Sequence, residues 1–152
     1  MTPPPRTPRQ RRRDALDRLE HDVDAWVASA DNATGTPYLV PLSFLWDGTS
    51  LLLATSRATR TGRNLLATGM VRIGVGLYRD LVLIDGAVDA LATTEIPDDV
   101  GDAFAAKTGF EPRRLTGYLY FRVRPQRLQT WRNENEHEGR DLMRDGRWIV
   151  SD

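Results

Sequence analysis

The sequence predicts a mainly β domain, a small antiparallel barrel with helical lids. Three observations carry that expectation. About six short apolar segments read as strands. Most are joined by tight turns, with Asp47-Gly48, Arg79-Asp80 and Asp145-Gly146 as the turn dipeptides. The regular strand–helix alternation that builds a parallel sheet is missing. At 152 residues the chain has the size of one domain with room for a real core.

Residues 1–10, Met-Thr-Pro-Pro-Pro-Arg-Thr-Pro-Arg-Gln, have the composition of a disordered tail, so the folded domain is expected over residues 11–152. The charge run Arg11 to Arg13 reads as the solvated start of a helix. From Asp14 to Ser29 the residues Leu16, Leu19, Val23, Trp26 and Val27 recur at three- and four-residue spacing. That predicts an amphipathic helix with one buried stripe. Tyr38 to Trp46 and Leu51 to Thr55 then flank Asp47-Gly48 as a hairpin. Pro37 and Pro41 cannot donate to a ladder, which places the first arm at a sheet edge or a bulge. Gly62 to Thr68 is expected to form a short helix that buries Leu65 and Leu66.

Met70 to Tyr78 and Leu81 to Leu91 form a second antiparallel pair around Arg79-Asp80. Ile96, Val100 and Phe104 sit four apart, so Pro97 to Lys107 reads as a helix, with Pro97 in its first turn and Gly109 at its end. Tyr118 to Thr130 is the longest strand. Tyr118, Tyr120 and Arg122 fall on one face, and Leu119, Phe121 and Val123 on the other. A last small hairpin sets Leu142-Met143 against Trp148-Ile149 across Asp145-Gly146.

Composition removes several function classes. The 21 basic and 21 acidic residues cancel, which gives nucleic-acid binding no support. No apolar run is long enough to cross a membrane. The Pro- and Arg-rich start has no apolar segment behind it, so it does not read as a secretory signal. The absence of cysteine excludes disulfides and thiolate metal ligands, and it fits a cytoplasmic location.

Most catalytic motifs are also missing. Gly74-Val75-Gly76 lacks the third glycine and the helix of a dinucleotide-binding loop. There is no P-loop and no Gly-x-Ser-x-Gly elbow. His21 falls on the polar side of the first helix. His137 lies in Glu134-Asn135-Glu136-His137-Glu138, whose spacing matches no standard metal motif and reads as a solvated polar loop. Asp98 and Asp99 open a helix, where carboxylates favour the positive end of the dipole. No metal site and no catalytic side chain are assigned.

One stretch concentrates a single binding chemistry. Residues 51–65 read Leu-Leu-Leu-Ala-Thr-Ser-Arg-Ala-Thr-Arg-Thr-Gly-Arg-Asn-Leu. A short apolar strand runs into a turn crowded with hydroxyls and guanidinium groups, then into a helix. Those groups, with the free N–H groups of a helix start, are what a bound phosphate needs. With so few side chains available for proton transfer, the reactive group is expected to be a bound cofactor.

At this point the sequence resembles the flavin-binding split-barrel family related to pyridoxamine 5′-phosphate oxidase. Three segments carry the resemblance: the paired strands Tyr38 to Phe44 and Leu51 to Thr55, the turn Thr59-Arg60-Thr61-Gly62-Arg63-Asn64-Leu65, and Val123-Arg124-Pro125-Gln126-Arg127-Leu128-Gln129-Thr130-Trp131-Arg132. Together they span roughly residues 36 to 132. The fold it implies is a six-stranded antiparallel split β-barrel with flanking helices.

The resemblance also implies a cofactor, FMN or alternatively the deazaflavin coenzyme, and a homodimer with its two cofactor sites at the interface. Carried over by position, Thr55 and Ser56 would sit where the strand leaves the flavin ring. Arg57, Thr59, Arg60, Thr61 and Arg63 would serve the phosphate, with Asn64 assisting. Leu42, Ser43 and Phe44 would line the ring, and Trp131 and Arg132 would approach the cofactor of the partner subunit. Lys is usual in such relatives where this chain has Thr61, which leaves three expectations open: compensation by Arg57 or Arg60, weak cofactor affinity, or a different cofactor.

No His matches the Arg-x-His element expected after the Trp; the downstream residues are Arg140-Asp141-Leu142. The expectation is therefore an oxidoreductase acting on an unidentified small organic substrate, not a vitamin B6 enzyme. The alternative is a non-catalytic dimeric barrel that holds a flavin or another ligand.

Overall fold

A computed structural model describes all 152 residues. The elements in chain order are α1 (Pro8–His21), β1 (Asp24–Ala30), β2 (Pro37–Ser43), β3 (Leu45–Trp46), β4 (Leu51–Ser56), α2 (Arg60–Thr68), β5 (Met70–Leu77), β6 (Asp80–Ala92), α3 (Asp98–Thr108), β7 (Tyr118–Trp131), β8 (Asp141–Arg144) and β9 (Arg147–Trp148). Every strand pairing is antiparallel. The main sheet path is β2-β1-β5-β6-β7-β4-β3, with β8 and β9 attached through β7, so nine strands stand where about six were expected. The sheet curls into a half-barrel flanked by helices, the architecture of a split barrel.

The barrel interior is filled by Val27, Phe44, Leu51, Leu53, Ile73, Ile84, Phe121, Val123 and Leu128, and α1 adds Ala15 and Leu19 to it. A second, smaller core lies on the other side of β4 and β7. There Leu52, Ala54 and Tyr120 pack under Ile96 and Phe104 of the α3 region. β4 is thus buried on both faces, which accounts for its unbroken Leu-Leu-Leu-Ala run. On the Tyr118–Arg122 face of β7, Tyr120 is fully buried beneath α3.

β6 and β7 are long enough to bend. Their register shifts so that Asp85 faces Arg127 but Gly86 faces Pro125, leaving Gln126 as the extra residue of a bulge. Gly86 is required there, because a Cβ would lie 2.4 Å from Cγ1 of Val123.

Four expectations are corrected. The helix expected over Asp14 to Ser29 ends at His21, and β1 follows at once. Ala25, Val27 and Ser29 point inward and Trp26 outward, so ladder pairing to both β2 and β5 overrides the helical spacing. Residues 1–10 do not form a free tail: Thr7 caps α1 by accepting from the Gln10 N–H at 3.2 Å, and Arg6 is buried. In α2 only Leu65 of the two leucines is buried; Leu66 faces outward. The expected hairpin across Asp47-Gly48 is only the short β3–β4 pair, while β2 turns away to pair with β1 and form the sheet edge that its prolines require. No helix is long and apolar enough to cross a membrane.

Candidate functional site

The turn between β4 and α2 is held by its own hydroxyls. Thr59 is the N-cap of α2, and its Oγ1 accepts from the Gly62 N–H at 3.0 Å. The same hydroxyl donates to the Ser56 carbonyl at 2.9 Å, and it lies 3.2 Å from Thr55 Oγ1, which must then donate to it. Ser56 Oγ accepts from the Ala58 N–H, and the Arg57 N–H donates to the Gly117 carbonyl at 2.9 Å. At Gly62 a Cβ would stand 2.2 Å from the Ser56 carbonyl oxygen, so glycine lets the helix start press against the end of β4. After these bonds, the N–H groups of Arg60 and Thr61 have no partner in the chain. They point from the positive end of a helix whose first turn carries no acidic residue.

The charges around this turn form no direct ion pair. Arg57, Arg60 and Arg63 are exposed and take part in no ion pair. The Arg60 guanidinium lies 5.2 Å from the centroid of the Tyr38 ring, which ties α2 to β2. A polar cleft of about 440 Å³ opens beside it, between the outer face of α2 and the turn joining β1 to β2. Arg60, Arg63, Asn64, Thr34 and Thr36 are among its walls. Asp31, at its rim, has its carboxyl held below the usual carboxylate range by the N–H groups of Thr34 and Ala33, with Arg60 adding to the effect.

The other expected site residues divide. Thr61 and Asn64 are buried, and Asn64 Nδ2 donates to Ser29 Oγ at 3.1 Å. Thr61 as a whole is 3% exposed, and its hydroxyl makes no hydrogen bond within the chain. Leu42 is half-buried against the core, and the Ser43 hydroxyl donates to Asp24 at 2.7 Å. Phe44 is a core residue: its side chain is wholly buried with Lys107 Nζ 4.2 Å from the ring centroid, and its N–H donates to the Val23 carbonyl.

Trp131 and Arg132 do not join this group. Tyr118, at one end of β7, pairs with Ser56, and Trp131 is at the other end. At about 3.3 Å per residue the two ends are roughly 43 Å apart along the strand. The half-buried Trp131 ring meets His137 edge-on, with centroids 5.9 Å apart. Arg132 Nε donates to Asp80 at 3.1 Å, and its N–H donates to Glu136 at 2.9 Å. Glu136, expected in a solvated loop, is buried against Arg6.

Two parts of the site were not expected. Tyr38 under Arg60 and the Asp31–Thr36 turn reach α2 only through the register of β1 with β2. The Asp31-Asn32-Ala33-Thr34 composition marks a turn, but nothing local says which helix it faces.

A family model described as Pyridoxamine 5′-phosphate oxidase matches residues 14–132. Among solved structures, an FAD-binding protein from Mesorhizobium loti superposes with a TM-score of 0.60 at 19% identity, covering 77% of this chain and 89% of its own. A structure described as an F420 reductase gives 0.58 at 22% identity, covering 74% and 93%. The heme storage protein HutZ from Vibrio cholerae gives 0.57 at 18% identity, covering 78% and 89%. At these identities the likeness shows a shared fold. No curated protein matches the chain by sequence.

Proposed function

The chain belongs to the pyridoxamine 5′-phosphate oxidase family, and on that premise we propose that it is a homodimeric oxidoreductase that holds a flavin or deazaflavin by its phosphate at the start of α2. The observation that carries this reading is the pair of partnerless N–H groups at Arg60 and Thr61, set beside three arginines without carboxylate partners. That donor set fits a phosphate: two backbone N–H groups, a helix dipole and at least one guanidinium converge, and Gly62 allows close approach. Thr59 shapes the turn instead of reaching the ligand, because its one proton is given to Ser56.

When bound, the ring would supply hydride transfer to or from a small organic substrate. The chain's own part is to fix the phosphate at α2, orient the ring along β2 and the end of β4, and exclude water. FMN is the proposed cofactor, with the deazaflavin coenzyme as the alternative.

Dimerisation is supported by two features. Trp131 and the α2 turn lie at opposite ends of β7, which favours a reading in which a second subunit carries Trp131 to the cofactor. In addition, the outer face of β1, β2 and β5 exposes Trp26 (55%), Leu39 (59%) and Met70 (67%) together. A mostly apolar depression of about 690 Å³, bounded by Ala28, Ala30, Met70 and Ala87, lies in the same face. A two-fold axis would cover this patch on both subunits at once.

The test is to titrate the purified protein with FMN while following flavin fluorescence, melting temperature and sedimentation. Binding to the folded state must raise the melting temperature by an amount that grows with the logarithm of ligand concentration over Kd. A dimer that binds FMN supports the reading, and Trp26→Asp with Leu39→Asp should yield a monomer with weakened FMN binding. A protein whose melting temperature no flavin or deazaflavin moves would overturn it. The heme storage likeness favours one second reading, a dimeric barrel that only holds its ligand. Reduction of bound FMN by a nicotinamide donor, with reoxidation by an organic acceptor, separates the two.

A further inference from the structure

We propose that the two ends of β7 dock reciprocally between two copies of this chain. The acidic loop from Glu134 to Glu138 in each subunit seats on an arginine-flanked apolar shelf beside the β4–α2 turn of its partner. The inference rests on the dimer reading above and deepens it with a second, charge-paired contact.

The shelf is built at the Tyr118 end of the strand. The Phe110 and Tyr118 rings lie 5.6 Å apart, and Phe110 and Leu115 are exposed. Tyr118 pairs with Ser56, and the Gly117 carbonyl accepts from the Arg57 N–H, so the shelf abuts the turn. Arg57, and Arg114 next to Leu115, are exposed and form no ion pair. Arg113 between them takes the local carboxylates, Glu111 at 2.6 Å and Asp102 at 2.8 Å.

The opposite charge stands unpaired at the Trp131 end. Glu134 and Glu138 are exposed and form no ion pair. The arginines around the loop bond elsewhere. Arg132 goes to Asp80 at 3.1 Å and Arg6 to the buried Glu136 at 2.7 Å. Arg140 donates to the His137 carbonyl at 3.3 Å, with its guanidinium 5.9 Å from the Trp131 ring centroid. Arg11 pins the backbone on both sides of His137 through the carbonyls of Glu136 and Glu138. The loop is thus fixed before any contact forms, so little ordering entropy remains to be lost on docking.

One strand carries both sets, and that selects the partner. A two-fold axis crossing β7 near its middle brings the loop of each subunit to the shelf of the other, twice per dimer. Gln126, close to mid-strand, lines the apolar depression of the interface face, so such an axis falls within that face. An unrelated acidic protein would satisfy the arginines and leave the glutamates unpaired; a second copy satisfies both. Aromatic and arginine side chains are the usual anchors of an interface, and opposite charges fix its register. Arg60, stacked on Tyr38, is left for the phosphate.

The experiment is sedimentation equilibrium of the full chain without flavin, so that it does not depend on cofactor binding. One variant reverses the loop, Glu134→Arg with Glu138→Arg. The other reverses the shelf, Arg57→Glu with Arg114→Glu. Each alone sets like charges against each other at both contacts, and its dimer should be at least about tenfold weaker than wild type. An equimolar mixture of the two should recover wild-type affinity, because the mixed dimer pairs opposite charges at both contacts. The milder Glu134→Gln with Glu138→Gln should weaken the dimer by about threefold. Wild-type affinity in both reversed variants, or weakening that the mixture does not rescue, overturns the reciprocal docking and leaves the dimer reading standing. A wild-type chain that sediments as a monomer overturns both.

Discussion

Glu136 and Arg6 meet through both carboxylate oxygens although 130 residues separate them: Arg6 Nε donates to Oε1 at 3.0 Å and Nη2 to Oε2 at 2.7 Å. The Arg6 N–H also donates to Oε1 at 3.0 Å, and the Arg132 N–H to Oε2 at 2.9 Å. Arg11 joins from α1 by donating to the carbonyls of Glu136 and Glu138, each at 3.0 Å. The N-terminal segment is thereby fastened to the end of β7, next to Trp131.

The hydrogen bonds from the Arg6 side chain, reinforced by the two N–H groups, hold the Glu136 carboxyl at about 2, below its ordinary 4.5. A carboxyl depressed in the folded state contributes stability that is complete above 4.5 and is lost as pH falls through about 2. Glu136→Gln should cost about 3 kcal/mol at neutral pH, because it leaves a buried guanidinium undercompensated. For a chain of this size that is a drop of roughly 6–12 °C in melting temperature. The difference between wild type and variant should shrink between pH 4.5 and 2; a constant difference across that window would refute the assignment.

Gly62→Ala places a methyl group 2.2 Å from the Ser56 carbonyl oxygen, so the start of α2 must move away from β4. Overpacking of this kind costs about 1–3 kcal/mol. The larger effect should be on ligand binding, since the N–H groups of Arg60 and Thr61 move with the helix. Leu66→Ala, on the outward side of the same helix, should stay within about 0.5 kcal/mol of wild type and bind as before.

Thr59→Ala and Arg60→Ala should fail in different ways. Thr59 caps α2, so its loss lowers stability by about 1 kcal/mol even without ligand. Arg60 makes no ion pair and rests on Tyr38 at the surface, so its loss should leave the apo melting temperature nearly unchanged. FMN affinity should nevertheless fall at least tenfold in Arg60→Ala. Matched melting curves and FMN titrations of the two single variants decide this; equal FMN affinity in Arg60→Ala would remove Arg60 from the site.

Tyr120 carries a hydroxyl that is buried without a hydrogen-bond partner, and that burial pushes its titration up. The ring itself packs edge-on to Phe104, with centroids 5.5 Å apart. Tyr120→Phe keeps the ring and removes the orphan, so it should be neutral or stabilising by up to about 1–2 kcal/mol. A clear loss of stability on thermal denaturation would mean that the hydroxyl has a partner after all.

The sequence was most legible where local chemistry and packing agree. Pro37 and Pro41 mark a true edge strand, Gly109 ends α3 in the left-handed conformation with φ of 73°, and Asp145-Gly146 turns the last hairpin. It misled where two periods fit the same residues. Trp26 and Val27 match a helix stripe, but the partners that make them a strand lie at 37–43 and 72–74. Within the site, the Thr59 cap was readable because its bonds to Ser56 and Gly62 are local, whereas Arg57 is anchored on Gly117 and Asn64 on Ser29. The burial of Thr61 and Phe44, and the approach of Asp31 and Tyr38, depend on distant strands and have no local signature.

The placement of β4 between β3 and β7 has a consequence for biosynthesis. β4 occupies residues 51–56, but its long partner β7 begins only at 118, and until then only the two-residue β3 covers its edge. A chain still on the ribosome therefore carries Leu-Leu-Leu-Ala as an open apolar edge, ready to pair with another chain, for the whole time the middle third is being made. The α2 turn shares that delay, since the Gly117 carbonyl that anchors Arg57 arrives at the same late stage. Ribosome stalling before residue 117 would thus release fragments prone to aggregate, each lacking the anchored turn, and such fragments are natural clients for a chaperone.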